Sequence, residues 1–239
     1  MKENSYPFPI PIGPRSVLSK RAEILATLLA SDDAFCAIPV KGISSDSLAL
    51  LLALYDTSFF SGCLKRLNIR VTLSSRMTSS AGKFVFSRST LGRIKQAEIR
   101  MSSDFLLRLH QGPFELNGLT VSTPQEAFLL VFEHELCHAA ETLLFGATGH
   151  SDRFLSLANG LFGHTETRHK LPTRRQEAAR SGLNIGGVVS FVYQGKKLSG
   201  IVTYIGKTAT VMVPSPRGQY LDRSAKRYEK YRVPLSRIQ

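Results

Sequence analysis

The chain has 239 residues, of which 43% are hydrophobic and 21% charged, as is typical of a globular protein with one full domain and a smaller one. The net charge of +13 is divided unevenly, because residues 1–167 hold 16 Lys and Arg against 15 Asp and Glu, and residues 168–239 hold 15 against 3. This distribution predicts a neutral domain followed by a module that binds a polyanion.

The cysteines and the apolar segments exclude several classes of protein. Cys36, Cys63 and Cys137 are odd in number and lack C-x-x-C spacing, which argues against a disulfide framework and a cysteine-ligated zinc ribbon. The longest apolar run, LALLLAL at 48–54, is too short to span a bilayer, and no apolar leader precedes residue 20. We therefore expect a cytoplasmic protein with no membrane partner.

The first two thirds of the chain alternate between helical and strand patterns. Residues 1–15 form a proline-rich arm, and residues 16–167 form the first predicted domain. Apolar residues at helical spacing predict a helix at 16–30, and Ser44 or Ser45 can cap a second that runs to about residue 60. Shorter helices are expected at 104–110 and 152–161. Short stretches rich in β-branched residues and phenylalanine predict a small sheet from strands at 69–75, 82–87 and 97–102, and turn residues predict a loop or hairpin at 111–122.

The longest predicted helix runs from about residue 124 to residue 144. Thr123 is suited to cap its first turn, Pro124 to occupy the first helical position, and Gly146 to end the helix. This helix contains the pattern H-E-x-x-H at residues 134–138, around which the function of the first domain can be predicted.

The pattern predicts a site for one zinc ion. His134 and His138 are four residues apart, so they project from one face of the helix and can hold the same metal. Glu135 can reach a water bound to that metal and serve as general base and acid. His150 follows Gly146 and Gly149 and can return as the third ligand, which leaves a fourth position open as in catalytic sites. We expect a zinc hydrolase.

Other residues near the pattern leave alternatives open. His164 and His169 are rival third ligands beyond the next helix, and His110 is expected to be a surface or core histidine. Cys137 is turned about 100° from His138 on the helix and is expected to be a small core side chain. Glu141 shares the metal-facing side of the helix and either orients a ligand or is solvated near the helix end.

The last third of the chain changes from helical to strand patterns. Residues 168–182 are polar and basic and predict a linker or an exposed helix. The stretches VVSFVY, LSGIVTYI and TATVMVP then follow, separated by tight glycine turns, and predict strands. Residues 183–239 are expected to form a small SH3-like β-barrel.

This predicted barrel interleaves aromatic and basic residues. Its lysines and arginines can neutralise phosphates, and exposed tyrosines can stack on the bases of a single strand. The alternative is that the aromatics build the barrel core and the charges only solvate it, but the excess charge is larger than solubility requires. The predicted nucleic-acid-binding residues are Lys196, Lys197, Arg217, Arg223, Lys226, Arg227, Lys230 and Arg232. DNA, single-stranded or structured, and RNA are both compatible with this pattern.

Three segments resemble the SprT-like metalloproteases. LYDTSFFSGCL at 54–64, SSRMTSSAGKF at 74–84 and FEHELCHAAETLLFGATGHSDRF at 132–154 occur in the order found in that family, and the likeness covers roughly residues 16–165. In the family the third zinc histidine precedes a short segment ending in phenylalanine, and here His150 stands four residues before Phe154. The resemblance implies a minimal zincin that cleaves proteins covalently trapped on DNA and is stimulated by DNA.

The chain also departs from the family pattern. No cysteine-ligated zinc ribbon follows the first domain, and no segment matches the family's motifs for binding ubiquitin, the sliding clamp or an unfoldase, so those partners are not carried over. The expected fold class is α+β, a minimal zincin-like metalloprotease domain followed by an all-β SH3-like barrel.

The sequence predicts two functions of different classes. The first is a monomeric, DNA-associated zinc endopeptidase of the cytoplasm or nucleoid, with DNA-bound or DNA-crosslinked proteins as substrates. The second is a nucleic-acid-binding protein whose zincin domain is structural or weakly catalytic. The intact Glu135 favours the first, because a purely structural metal site does not need a carboxylate at that position.

Overall fold

A computed structural model of the chain describes residues 7–10, 12–38, 40, 42–109, 112–168 and 174–239. The chain forms two compact units, Met1–Leu171 and Pro172–Gln239. The first mixes helices with a three-stranded sheet and a hairpin, and the second is built on a five-stranded sheet, which confirms the α+β class. Among the described residues, no helix combines the length and apolar composition needed to cross a bilayer.

The elements of the first unit follow the predicted order. They are α1 (Pro14–Ser31), α2 (Ser45–Phe60), β1 (Ile69–Ser74), β2 (Gly82–Arg88), β3 (Ile94–Ser102), α3 (Ser103–Leu106), β4 (Phe114–Leu116), β5 (Leu119–Val121), α4 (Pro124–Phe145) and α5 (Asp152–Phe162). The predicted helices and strands are confirmed to within a few residues, except that β3 begins earlier than expected and α3 is shorter. His110 lies outside the described residues.

The three-stranded sheet has the order β1-β3-β2. β1 is parallel to β3, whereas β2 is antiparallel to it, with Gly82 opposite Met101 and Phe84 opposite Ile99. Ile99 and Met101 are buried in the core, so the central strand anchors the sheet. β2 is consequently an edge strand, and it packs beside α4.

α4 begins and ends at the predicted residues. The Thr123 hydroxyl accepts a hydrogen bond from the Glu126 N–H, and the Glu126 carboxylate accepts one from the Thr123 N–H, which completes a capping box. Gly146 ends the helix in the left-handed region, with φ of 73°. Most of the helix between these ends is buried, so it forms the centre of the first unit.

Aromatic side chains hold the other helices against α4. The Tyr55 ring of α2 lies 5.5 Å from that of Phe132 in α4 and 6.0 Å from that of Phe162 in α5. Phe59 lies 4.9 Å from Phe162, and all four side chains are buried. Rings of this size bury a large apolar area, so this cluster fixes the positions of α2 and α5 around the helix that carries the motif.

In its described residues, the second unit contains one short α-helix and one five-stranded sheet. Its elements are α6 (Arg174–Arg180), β6 (Val188–Tyr193), β7 (Lys196–Ile205), β8 (Thr208–Pro214), β9 (Tyr220–Leu221) and β10 (Arg227–Pro234), and the strand order is β6-β7-β8-β10-β9. The chain end returns to β6, because Ser190 and Gln239 exchange backbone hydrogen bonds of 3.1 and 2.9 Å. Val202, Val211 and Val233 are buried in its core.

Candidate metal centre

The structure brings three of the predicted site residues together. The Nε2 atom of His150 lies 3.0 Å from Nε2 of His134 and 3.1 Å from Nε2 of His138. The first two histidines share a face of α4, and His150 reaches them from the loop that follows Gly146. Three imidazole nitrogens thus converge on one point at the C-terminal half of α4.

This arrangement fits a bound metal ion better than hydrogen bonding among the rings. A neutral imidazole nitrogen carries either one hydrogen or one lone pair, so Nε2 of His150 can satisfy only one of its two neighbours. Zinc bound to histidine at 2.0–2.1 Å would separate tetrahedral ligand nitrogens by about 3.3 Å, close to the observed spacing. The group of His134, His138 and His150 could therefore hold a metal ion.

The loop that carries His150 is tied to α4 by Glu141. This carboxylate is fully buried and accepts hydrogen bonds from the Gly149 N–H and from Nε of Arg153, both at 2.9 Å. Thr148 hydrogen-bonds Glu141 through its side chain, and its Oγ1 lies 2.7 Å from Nδ1 of His138. Glu141 thus orients the site, and the alternative of a solvated glutamate is wrong.

The pKa shifts of His138 and Glu141, both in α4, agree with these contacts. Burial, together with the nearby His150, lowers the pKa of His138 to about 4, so its imidazole is neutral at neutral pH, as metal ligation requires. Burial also raises the pKa of Glu141, but the hydrogen bonds from Gly149, Arg153 and Thr148 outweigh it, so its pKa is below the usual value and the side chain is a carboxylate.

Phe154 packs against all three histidines. Its ring centroid lies 4.4 Å from that of His138, 5.1 Å from that of His134 and 5.2 Å from that of His150, and the side chain is completely buried. The first turn of α5 carries this residue and is capped by Ser151. Phe154 therefore helps to fix the positions of the three imidazole rings by packing against them.

Glu135 lies between α4 and the edge strand β2. Its side chain is 3% exposed and accepts a hydrogen bond from the backbone N–H of Phe84. Burial raises the pKa of Glu135 to about 8, and the bond from Phe84 opposes this rise. A cation held by the neighbouring histidines would also favour the ionised carboxylate.

Gly82 leaves the space that Glu135 occupies. A Cβ atom at Gly82 would lie 2.6 Å from Oε1 and 2.8 Å from Cγ of Glu135. Gly82 belongs to the SSAGK stretch at residues 79–83, to which the sequence alone assigned no role. Its role depends on the approach of β2 to α4, which local sequence does not reveal.

A buried ionic network lies on another face of α4. Glu133 accepts hydrogen bonds from Nε and Nη2 of Arg21 and from the Tyr55 hydroxyl, all at 2.8 Å, and lies 3.0 Å from Nε2 of His164. Burial raises the pKa of Glu133, but Arg21 and His164 outweigh it, so the pKa is lowered. His164 therefore belongs to this network and not to the three-histidine group, and His169 lies outside the described residues.

The cysteines are placed as the spacing suggested. Cys36, Cys63 and Cys137 are all free thiols. Cys137 is completely buried within α4, and burial raises the pKa of its thiol well above the usual value. It is a core side chain, as expected.

The eight predicted nucleic-acid-binding residues are all exposed on the second unit. They are spread over the start of β7, the loops on either side of β9, and β10: Lys196, Lys197, Arg217, Arg223, Lys226, Arg227, Lys230 and Arg232. Some of them have local contacts: Nζ of Lys226 lies 5.8 Å from the Tyr228 ring, Nζ of Lys230 lies 5.6 Å from the Tyr220 ring, and Nη1 of Arg227 donates to the Gly218 carbonyl at 3.1 Å. The set is therefore not one compact cluster.

Comparison with known proteins identifies the first unit. The family model described as SprT-like matches residues 48–175, more than half of the 239-residue chain. This range contains the three histidines, Glu135 and the edge strand β2. No curated protein and no solved structure shows a significant match to the chain.

Proposed function

The chain belongs to the SprT-like family, and from that membership we propose that it is a zinc-dependent endopeptidase with a zincin-like fold. The observation that carries this proposal is the convergence of three imidazole nitrogens beside a glutamate in the H-E-x-x-H pattern, since Nε2 of His134 and Nε2 of His138 lie 3.0 and 3.1 Å from Nε2 of His150. His134, His138 and His150 would hold one zinc ion.

Glu135 performs the proton transfers in this proposal. When bound, zinc supplies a Lewis acid and a water molecule whose pKa falls to near 7. The Glu135 carboxylate takes the proton of the attacking water and passes it to the amine nitrogen that leaves the scissile bond. Its place between α4 and β2 shields it from solvent, and the Phe84 N–H holds it in one orientation.

The free edge of β2 offers a place for an extended protein segment. The N–H of Phe84 bonds to Glu135 and therefore points away from β3, and no strand among the described residues pairs with this edge of β2. Backbone pairing with such an edge depends little on the side chains of the bound segment. This property supports proteins, rather than one small molecule, as substrates.

The charge of the second unit supports association with DNA. With 15 Lys and Arg against 3 Asp and Glu in residues 168–239, an SH3-like barrel would bring the protease close to proteins bound or crosslinked to DNA. The return of Gln239 to β6 suits such a barrel, since Gln239 and Ser190 exchange backbone hydrogen bonds. The competing function is a nucleic-acid-binding protein whose first unit is structural or weakly catalytic.

The substitution Glu135→Gln separates the two functions. The glutamine has nearly the same size but cannot accept the proton, so we expect bound zinc and DNA affinity to persist while cleavage of a DNA-bound protein is lost. His150→Ala is the contrasting variant, because it should lose zinc as well as cleavage. Zinc content by atomic absorption and proteolysis with and without single-stranded DNA measure both effects. Equal cleavage by wild type and Glu135→Gln would refute the protease.

A further inference from the structure

One face of the five-stranded sheet carries two cations in a row on β10, beside a row of uncharged side chains on β8. In β10, Lys230 and Arg232 are exposed, whereas the residues that alternate with them turn toward the core. Lys230 is the cross-strand partner of Met212, and Arg232 is the partner of Thr210. Side chains of directly opposite residues point to the same face, so these four form a continuous outer surface.

Two exposed tyrosines border these rows. Tyr204 in β7 is opposite Thr210 and is 56% exposed. Tyr220 in β9 is 45% exposed, and its ring centroid lies 5.6 Å from Nζ of Lys230. The tyrosines and the cations line one shallow depression of about 420 Å³. A bound chain would therefore meet both ring faces and positive charge within the same depression.

The backbone holds Tyr204 in this exposed position. The pairing of β7 with β8 shifts register between Val202 and Tyr204, which turns the tyrosine toward the outer face. Its ring then rests against Gly206, where a Cβ atom would lie 2.8 Å from the ring. An aromatic ring that is ordered before binding loses little conformational entropy when a flat partner stacks on it.

The carboxylates of the second unit do not neutralise this face. Residues 168–239 contain only Glu177, Asp222 and Glu229. Asp222 accepts hydrogen bonds from the Tyr228 hydroxyl and from two backbone N–H groups of its own turn, and Glu229 accepts them from Ser215 and Tyr231. Glu177 lies in α6. The positive charge of Lys230 and Arg232 is thus available to an anionic partner.

We propose that this face binds single-stranded nucleic acid, with bases stacked on Tyr204 and Tyr220 and phosphates neutralised by Lys230 and Arg232. A single strand fits better than a duplex, because only unpaired bases expose their flat faces to aromatic side chains. The site is narrower than the eight basic residues predicted from the sequence, and it adds two tyrosines to them. The inference rests on the proposed association with DNA and states where and how it occurs.

The test measures binding of the full chain to a fluorescein-labelled oligothymidylate by fluorescence anisotropy. Tyr204→Ala and Tyr220→Ala should each weaken binding about tenfold, since each removes one stacked base. Tyr204→Phe keeps the ring and should bind like wild type. Lys230→Ala and Arg232→Ala should also weaken binding.

Arg237→Ala is the matched control for charge. Arg237 is exposed in the short helix Leu235–Arg237 that follows β10, and it does not line the depression. This variant loses the same charge as Arg232→Ala but should bind like wild type. Equal weakening by both arginine variants would overturn the inference, because it would show a diffuse charge effect.

Competitors identify the class of ligand. Unlabelled oligothymidylate or oligouridylate should displace the probe, and the stronger of the two assigns the site to DNA or to RNA. Equal competition by duplex DNA, or by polyglutamate as an acidic protein surface, would overturn the single-strand inference. If wild type binds nucleic acid and the tyrosine variants bind equally well, only the location is wrong. If wild type binds none, the proposed DNA association fails as well.

Discussion

Gly82 controls the position of the carboxyl group of Glu135. A methyl group at Gly82 would lie 2.6 Å from Oε1, and Glu135 is too deeply buried to move aside without losing its contact with Phe84. We expect Gly82→Ala to lower kcat for protein cleavage by roughly tenfold to a hundredfold, because small misplacements of a catalytic group have effects of this size. Zinc content should stay unchanged, since Gly82 does not contact the histidines' convergent nitrogens.

Gly13→Ala is the control for this glycine substitution. Gly13 precedes α1, and a Cβ atom there meets no neighbouring atom within 4 Å. Steady-state cleavage and metal analysis of both variants give the comparison. Wild-type kcat in Gly82→Ala would show that the contact with Glu135 does not matter.

Glu133 contributes to stability through its buried partners. Replacing it with glutamine leaves the Arg21 guanidinium buried without a compensating charge, which in other proteins costs about 3–5 kcal/mol. Urea unfolding of the metal-free protein measures the free energy of unfolding of Glu133→Gln. Glu98→Gln breaks the more exposed pair with Arg100 and should change this free energy by less than about 1 kcal/mol. Equal changes in both variants would contradict the role of the network.

At the scale of elements, the loop between α4 and α5 decides where the third histidine lies. Gly146 ends α4 and turns the chain, and Glu141 then holds the loop by bonds to Gly149 and Arg153. Thr148 in the same loop contacts Nδ1 of His138. The loop therefore positions one histidine and orients another.

Glu141→Gln tests this arrangement. The amide cannot accept the full set of bonds with Gly149, Arg153 and Thr148, so His150 should be held less firmly. We expect zinc affinity to fall roughly tenfold to a hundredfold, as for other residues that orient metal ligands. Competition with a zinc chelator measures it. Asp152→Asn, an exposed neighbour of the loop, removes the same charge and should leave the affinity unchanged; a parallel loss in both variants would point to charge alone.

At the scale of the whole molecule, charge and chemistry lie in different units. The excess of Lys and Arg is in residues 168–239, whereas the three histidines and Glu135 are in the first unit. Raising salt from about 50 to 200 mM should weaken binding to single-stranded DNA by roughly one to two orders of magnitude, because counterions are released on binding. Cleavage of a DNA-free protein substrate should change much less. DNA affinity and cleavage of the DNA-free substrate are both measured as salt is raised. An equal loss of the two would contradict this division.

The sequence alone determined the features that depend on neighbouring residues. Thr123 as N-cap, Pro124 in the first turn and Gly146 at the end predicted the bounds of α4 correctly, because these signals act within one or two turns of the chain. The H-E-x-x-H pattern placed two imidazoles on one face for the same reason. The charge of the last third also follows from composition, without any knowledge of the fold.

Only the tertiary structure decided which distant residues meet. It excluded His164 as a rival to His150, because Glu141 holds the loop that carries His150 and Glu133 binds His164. The sequence did not predict β10, because its many basic residues hide the strand pattern. Its side chains alternate between the two faces of the sheet, which is evident only from its pairing with β8. The contact of Gly82 with Glu135 and the tyrosines beside Lys230 likewise arise from strand pairing and packing, which join residues far apart in the chain.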